Sequence, residues 1–382
     1  MKGYFDAHGT FNGQGIGNPN GEFAPDVCAI TLHGAGGGAA KIAWGFLSGE
    51  VALTIAPKAI ELGKIAKFVR CRPAEAHESM VSALTFGETH GASGSTFVSA
   101  SIGGTIKLWE SRRMKCLWTE SIQDASPATA TPAAGINTVL GVKRLSYCAI
   151  SGIVVALGSN GDIFVWAGFD TQQVIESSQS SDAGAFQPIS PQYYGRLASP
   201  EDGNGREPLS IVIQPLRTGS RDVHIAVFYT HTSHFWKVVA SPSPSNPSAL
   251  EFFRTKFVAG PVGELTSNLL SFSQDPPHET TLQAPPSPQL GVLSQNMSGF
   301  LPPQPRRTPP GSRHRSFVLA GDSLGQLVLW DWENDTEKLA DPTIATGRKG
   351  KAERQFCRQL LAHEDGALSA IAMDGPILAT GR

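Results

Sequence analysis

An all-β fold assembled from repeated antiparallel units is what this sequence predicts, and three observations carry that reading. The pattern Gly-x-apolar-x-apolar-Trp occurs as Gly104–Trp109, Gly161–Trp166 and Gly325–Trp330, and a fourth copy, Gly49–Thr54, ends in Thr. Each copy reads as a tight turn followed by a strand of alternating apolar residues, the period-2 signature of a half-buried strand. The strand ends Thr54, Trp109, Trp166 and Trp330 fall 55, 57 and 164 residues apart. Such near-regular spacing marks stacked copies of one supersecondary unit.

The longest interval has room for a further copy. Ser233–Val238, preceded by the apolar run Val223–Tyr229, keeps the pattern with Ser in place of glycine. Segments 120–135, 174–208, 240–249 and 274–315 are rich in Pro, Ser, Ala, Gly and Gln. They carry too little branched apolar surface to offset chain entropy, so disordered insertions between strands are expected there. Removing 274–315 from the stretch between Val238 and Trp330 leaves about one repeat. Residues 363–382 open another copy with His363–Ile371 and Ile377–Arg382 but stop before its turn glycine and third strand. The expected organisation is a poorly structured segment 1–24, rich in Gly and Pro, then a repeat domain over 25–382 with five recognisable units and an incomplete sixth.

Composition narrows the function classes. A chain of 382 residues can hold one large all-β domain. A net charge of −2 argues against a nucleic-acid binder that works by neutralising phosphates. Five cysteines, far apart and never in Cys-x-x-Cys, suit the reduced thiols of an intracellular protein better than a disulfide framework. No apolar run reaches the ~18 residues of a membrane span, and the N-terminus lacks a secretory core. The expected location is cytoplasm or nucleus, with neither membrane nor nucleic acid as partner.

His77–Phe86, Phe97–Ser101 and Gly104–Trp109 together resemble a WD40 repeat, and Trp330-Asp331 supplies that family's naming dipeptide. The resemblance implies a WD40-like β-propeller whose four-stranded blades surround a central channel. It also implies a buried His–Ser/Thr–Asp–Trp hydrogen-bond network within a blade. His77, Ser99 and Trp109 match three of those positions, while Gly103 stands at the Asp position. Asn160, Leu324 and Ser48 hold that position in the other copies, so the network is expected to be incomplete throughout and apolar packing to dominate. The structural blade residues on this reading are His77, Ser99, Gly104, Trp109, Gly161, Trp166, Gly325, Trp330, Asp331 and His363. An unfinished sixth blade implies an open ring for this chain taken alone. The run Ala43–Val51, with the inter-blade insertions, resembles the propeller region of fungal F-box/WD proteins. Those are substrate receptors of SCF-type ubiquitin ligases, which implies ubiquitin-ligase subunits as partners, although no F-box helices stand in these residues.

Catalytic constellations are weak. Gly34–Lys41 is glycine-rich like a phosphate loop, yet it lacks the Gly-Lys-Ser/Thr ending and a following helix, so a hairpin loop is the simpler reading. His224, His231 and His234 lie close in sequence, but no cysteine or carboxylate completes a tetrahedral zinc set. No nucleophile elbow occurs. No catalytic, metal or cofactor site is therefore assigned. Pro302, Pro305 and Arg307 fit a Pro-x-x-Pro ligand for an SH3-type groove, a match common by chance in Pro-rich linkers. Ser287 and Thr308 precede prolines and are candidate phosphorylation sites, as are Ser126, Ser190, Ser199 and Ser241. A basic stretch over Arg348–Arg358 suits a solvated connection between blades. The function expected is a non-catalytic protein-interaction scaffold, with substrate reception for an SCF-type ligase as its sharpest form. A structural subunit of a trafficking or RNA-processing complex and a propeller-fold hydrolase are the alternatives.

Overall fold

A computed structural model describes residues 27–34, 40–56, 67–87, 96–123, 140–170, 189–200, 207–214, 221–258, 263–271, 317–332, 357–361, 363, 366–374 and 377–381. Among these the chain forms five four-stranded antiparallel sheets and one two-stranded hairpin. The first sheet holds β1 (Val27–Gly34), β2 (Ala40–Phe46), β3 (Val51–Ala56) and β4 (Lys67–Arg70). The second holds β5 (Val81–Phe86), β6 (Thr96–Ser101), β7 (Thr105–Glu110) and β8 (Lys115–Ser121). The third holds β9 (Val142–Cys148), β10 (Ile153–Gly158), β11 (Ile163–Ala167) and β12 (Tyr193–Leu197). The fourth holds β13 (Pro208–Gln214), β14 (Val223–Tyr229), β15 (His234–Pro242) and β16 (Leu250–Val258). The fifth holds β17 (Leu265–Ser271), β18 (Phe317–Asp322), β19 (Gln326–Asp331) and β20 (Cys357–Leu361). A hairpin of β21 (Ala370–Asp374) and β22 (Ile377–Gly381) follows. Every sheet is an antiparallel meander in sequence order, and its short turns, such as 47–50 and 102–104, can join only antiparallel neighbours. The first strands β1, β5, β9, β13, β17 and β21 lie successively side by side. This is the plan of a WD40-like β-propeller.

Alternation along each strand assigns one face to the preceding sheet and the other to the following one. Trp109 and Phe97 pack with Ala43, Val51 and Leu53 of the first sheet. Ile106 and Leu108, on the opposite face, pack with Val154, Phe164 and Trp166 of the third. Trp330 likewise packs with Phe228, Phe235 and Phe257 of the fourth sheet. Each motif tryptophan is thus a wedge between neighbouring sheets, with Trp109, Trp166 and Trp330 all essentially fully buried. The half-buried strands expected from alternation are in fact covered on both sides in the middle of the stack. Ile153–Leu157 and Ile163–Trp166 are buried throughout, which is why they read as continuous apolar runs.

One repeated irregularity escaped the sequence pattern. In each four-stranded sheet the first strand skips a residue against the second, at Cys28, Ser82, Lys143, Leu209 and Thr266. Such a bulge kinks the strand and re-aims its polar groups. Here they reach the next sheet: Ser82 Oγ donates to Val142 O at 2.6 Å, and Thr266 Oγ1 donates to Leu368 O at 2.5 Å. Arg144 Nε donates to the carbonyl of the skipped Leu209 at 2.8 Å. The bulges therefore stitch the innermost strands together.

Three of the expected insertions are corrected in part. Residues 240–249 form the end of β15 and a hydrogen-bonded turn, with Ser243 N on Ala249 O and Ser243 Oγ on the Glu251 carboxylate. The turn reaches across to the third sheet, where Tyr194 N donates to Ser248 O. Proline and serine at this tip specify a turn, so their abundance here does not mean lack of structure. Segment 174–208 contains β12, whose Tyr193, Tyr194 and Leu197 join the apolar clusters of the sheet stack. Residues 120–123 complete β8 and its turn, with Ile122 fully buried. Segment 274–315, residues 1–24, and the basic stretch up to 356 lie outside the described residues.

Candidate functional site

The matched residues of the second sheet come together as one buried network. His77 Nε2 lies 2.7 Å from Ser99 Oγ, and Trp109 Nε1 donates to the same oxygen at 2.7 Å. His77 Nδ1 lies 2.6 Å from Thr105 Oγ1, which lies 2.8 Å from Ser101 Oγ. Ser99 owns one proton; with the indole donating to it, that proton goes to Nε2, and Nδ1–H donates to Thr105. Burial, assisted by the Lys107 charge, pushes the imidazole down to about 3, so it is neutral at pH 7, as this pattern requires. The carboxylate is absent from this sheet, as the sequence implies, yet the histidine keeps a partner on each ring nitrogen. Gly103 supplies no carboxylate, but the Thr105 hydroxyl two residues on takes its place.

A serine–histidine contact of 2.7 Å also invites a nucleophile reading. Geometry opposes it at this pair. Ser99 is fully buried, its oxygen is already committed to Trp109, and a histidine held near 3 is a poor base at neutral pH. The pair braces the sheet.

The other sheets vary the same design. Trp44 on β2 and Thr54 on β3 occupy the places of Ser99 and Trp109, and Trp44 Nε1 donates to Thr54 Oγ1 at 2.9 Å. Indole and hydroxyl have exchanged strands while the bond between them survives, which accounts for the Thr that ends the fourth copy of the motif. In the terminal hairpin His363 Nε2 lies 3.0 Å from Thr380 Oγ1, repeating the His77–Ser99 contact. The fifth sheet breaks the pattern. Ala320 pairs with Val328 where Ser99 pairs with Lys107, and the buried Trp330 Nε1 has no partner among the described residues. Its turn is held instead by Asp322, fully buried, whose carboxylate accepts from Leu324 N, Gln326 N and Gly263 N at 3.0, 2.7 and 2.9 Å. Asp331 closes β19 opposite Phe317.

These braces converge on one end of the stack. The turns between second and third strands, 47–50, 102–104, 159–161, 230–233 and 323–325, meet the lead-ins to the first strands. Ile102 N donates to Met80 O, Ser159 N to Gly141 O, Thr230 N to Glu207 O, and Ser323 N to Glu264 O. Contacts to the following sheet continue the line: His77 N to Gly49 O, Leu265 N to Thr232 O, and His363 N to Gly325 O. The motif glycine belongs to this rim. Gly104 has φ +84°, and a Cβ there would lie 2.5 Å from Leu140 O, so both backbone and space exclude a side chain. In the fourth sheet, where Ser233 replaces glycine, the left-handed conformation moves to His231 at φ +58°. His231 then meets the Glu264 carboxylate at 2.7 Å, with both side chains exposed.

The rim is preorganised and partly apolar. Leu47, Ile102 and Leu324 stand 52%, 45% and 55% exposed on three of its turns. Their neighbours include the Lys143–Glu207 ion pair at 3.2 Å and the His231–Glu264 pair. Asp162 anchors the rim between the third and fourth sheets. It takes Arg196 Nη2 at 2.6 Å and Ser199 N at 2.9 Å, while Tyr229 Oη donates to Gly161 O at 2.9 Å. Sequence reasoning missed Thr105, Asp162 and Asp322 as rim anchors. A Ser, Thr or Asp within three residues of every motif glycine was the available signal.

The remaining sequence candidates scatter. His224 lies on β14, His231 on the rim, and the buried His234 is perpendicular to the Trp236 ring, 6.1 Å between centroids. No group of three or more metal-ligating side chains occurs among the described residues. Gly34, Ala40 and Lys41 belong to the antiparallel pair β1 and β2, and residues 35–39 lie outside the described residues. Ser190 is exposed, whereas Ser241 is paired with Glu251 inside the fourth sheet. Pro302, Pro305, Arg307, Thr308 and Ser287 lie outside the described residues.

No protein-family model and no curated protein matches the chain. Among solved structures it is similar to Hsv2 of Kluyveromyces lactis, at 8% identity and a TM-score of 0.40, over 59% of this chain and 61% of that one. It is also similar to the RRP9 WD40 repeats, at 11% identity and a TM-score of 0.42, over 81% of this chain and 62% of that one. The chain thus spans less than two thirds of the length of either structure. The fold assignment rests on the chain's own sheets. By those meanders, by the left-handed glycine opening the third strand in four sheets, and by the tryptophan that ends it in three, the chain has the fold plan of a WD40-like β-propeller.

Proposed function

We propose that the chain is a non-catalytic protein-interaction scaffold whose partners dock on the rim of turns between second and third strands. The observation that carries this reading is the exposure of Leu47, Ile102 and Leu324 on a surface whose backbone is fixed by hydrogen bonds between sheets. Exposed apolar side chains on preorganised turns bind at low entropic cost, because few groups must be ordered on association. The finer version, substrate reception for an SCF-type ubiquitin ligase in cytoplasm or nucleus, is supported by the likeness of Ala43–Val51 to fungal F-box/WD propellers. A structural subunit of a trafficking or RNA-processing complex uses the same rim. The hydrolase alternative gains nothing from the Ser99–His77 pair, which is buried. In the Pro-rich segment, Pro302, Pro305 and Arg307 are proposed as a secondary ligand for an SH3-type groove, with Ser287 and Thr308 as its phosphorylation sites.

The test is proximity labelling in cells with the full chain and two variants. Leu47→Asp/Ile102→Asp/Leu324→Asp removes the apolar rim, whereas Ile150→Asp changes an equally exposed residue on a turn at the opposite end. Partners lost with the triple variant and kept with Ile150→Asp support the rim. Identical partner sets for both variants refute it. Ubiquitin-ligase subunits among the rim-dependent partners support the finer version, and their absence refutes that version alone.

A further inference from the structure

The outer edge of the fourth sheet carries a second site, of different chemistry. Its outer strand β16 is nine residues long, against four for β4, seven for β8, five for β12 and five for β20. Among the described residues no strand pairs with its free edge, and one isolated bridge, Tyr194 to Ala249, lies just before it begins. Arg254 and Lys256 project from the same face of β16, opposite Val238 and Trp236 in register. Both stand over one indole: the Arg254 guanidinium carbon is 5.6 Å and Lys256 Nζ is 5.5 Å from the Trp236 ring centre. Both are exposed, and neither meets a carboxylate among the described residues. Glu251 on the same strand belongs to the opposite face, where it accepts from Ser243 Oγ at 2.6 Å.

Two uncompensated cations gathered on one aromatic ring stand out in a chain of net charge −2. Such charges on an edge repel a second copy of the same strand. Antiparallel self-pairing about Thr255 sets Arg254 opposite Lys256 on each side, and like charges directly opposite are destabilising. The same arrangement admits a strand of complementary charge. We propose that the edge of β16 binds an extended acidic peptide segment, with carboxylates at alternate positions, by strand addition to the fourth sheet. Residues two apart on a strand are separated by about 6.8 Å, so a Glu-x-Glu or Asp-x-Asp segment matches the Arg254–Lys256 spacing. Its backbone completes the unpaired ladder, and the charges choose the partner. Cation–π contact with Trp236 holds both cations near where the carboxylates arrive.

This site is independent of the rim, and its test keeps the two apart. A fluorescein-labelled nine-residue peptide with Glu at alternate positions and Thr or Val between is titrated with the full chain by fluorescence anisotropy. Arg254→Glu/Lys256→Glu is expected to weaken binding about tenfold or more, from loss and reversal of two charge pairs. A peptide N-methylated at alternate amides is expected to weaken about as much, because strand addition needs those donors. The Leu47→Asp/Ile102→Asp/Leu324→Asp variant is expected to bind the peptide as the unmodified chain does. An unchanged circular dichroism spectrum and unfolding midpoint establish that the charge variant is folded, with Arg254→Gln/Lys256→Gln as the milder replacement should it not be. Equal binding by the folded charge variant, or by the N-methylated peptide, overturns the proposal. Binding of anionic vesicles or RNA through Arg254 and Lys256 with no binding of the peptide overturns it equally.

Discussion

The contrast between Ser99 and Ala320 makes a paired prediction, because the two positions are equivalent in the second and fifth sheets. Ser99→Ala removes the oxygen that accepts from Trp109 Nε1 and donates to His77 Nε2. Two buried polar atoms lose their partner at once, and each orphaned atom costs about 1–3 kcal/mol. Relaxation of the His77 ring, still tied to Thr105, reduces the sum, so a loss of about 2–4 kcal/mol is expected. Ala320→Ser runs the other way. It offers the unpartnered Trp330 Nε1 an acceptor in the geometry that Ser99 gives Trp109, for an expected gain of about 0.5–1.5 kcal/mol. The assay is urea unfolding followed by tryptophan fluorescence, with midpoint and slope fitted together so that a change in cooperativity is not read as stability. A loss below about 0.5 kcal/mol for Ser99→Ala would show that the network does not brace the sheet. Destabilisation by Ala320→Ser would show that the site is too tightly packed for the hydroxyl, and the equivalence of the two sheets would fall with it.

Trp109→Ala is expected to cost about 3–5 kcal/mol, since it opens a cavity between two sheets; a smaller loss in the same unfolding assay contradicts the wedge role. Gly104→Ala forces a side chain into a left-handed turn against the Leu140 carbonyl and should lower the unfolding midpoint more than Gly103→Ala, where the nearest obstacle is the Ser79 hydroxyl. The folded His77 is held near 3, below its unfolded value of 6.5, so the unfolded chain binds the proton first. Stability from this group is complete above pH 6.5 and is lost as pH falls from there towards 3, at up to about 1.4 kcal/mol per unit. His77→Gln should flatten that acid limb, and an unchanged pH profile would refute the buried neutral imidazole.

The repeated third strand was legible because one residue pattern encodes both its turn and its wedge. Gly104 and Trp109 mark a left-handed turn and an inter-sheet plug wherever they recur, and His77 and Ser99 were placeable by resemblance. What stayed hidden depends on relations between strands. The Thr54–Trp44 exchange preserves a bond while changing both residues, so a pattern that scores one strand at a time sees only a missing tryptophan. The bulges at Ser82, Lys143, Leu209 and Thr266 have no shared residue type, because a bulge is a property of register. The turn at 243–249 is hidden for a related reason: composition counts its prolines and serines, whereas their positions at a hairpin tip set the structure. Arg254 and Lys256 belong to no sequence pattern, and only the strand ladder places both over Trp236.

The central claim is that partners engage the end of the stack where the glycine turns meet the lead-ins to the first strands. Hydrogen exchange of the chain, alone and with a partner recovered in a rim-dependent manner, tests this most directly. The account predicts slowed exchange at 47–50, 77–80, 102–104, 159–161, 230–233 and 323–325, with little change at the opposite turns 111–114 and 149–152. Protection confined to those opposite turns, with the glycine turns unaffected, would contradict it.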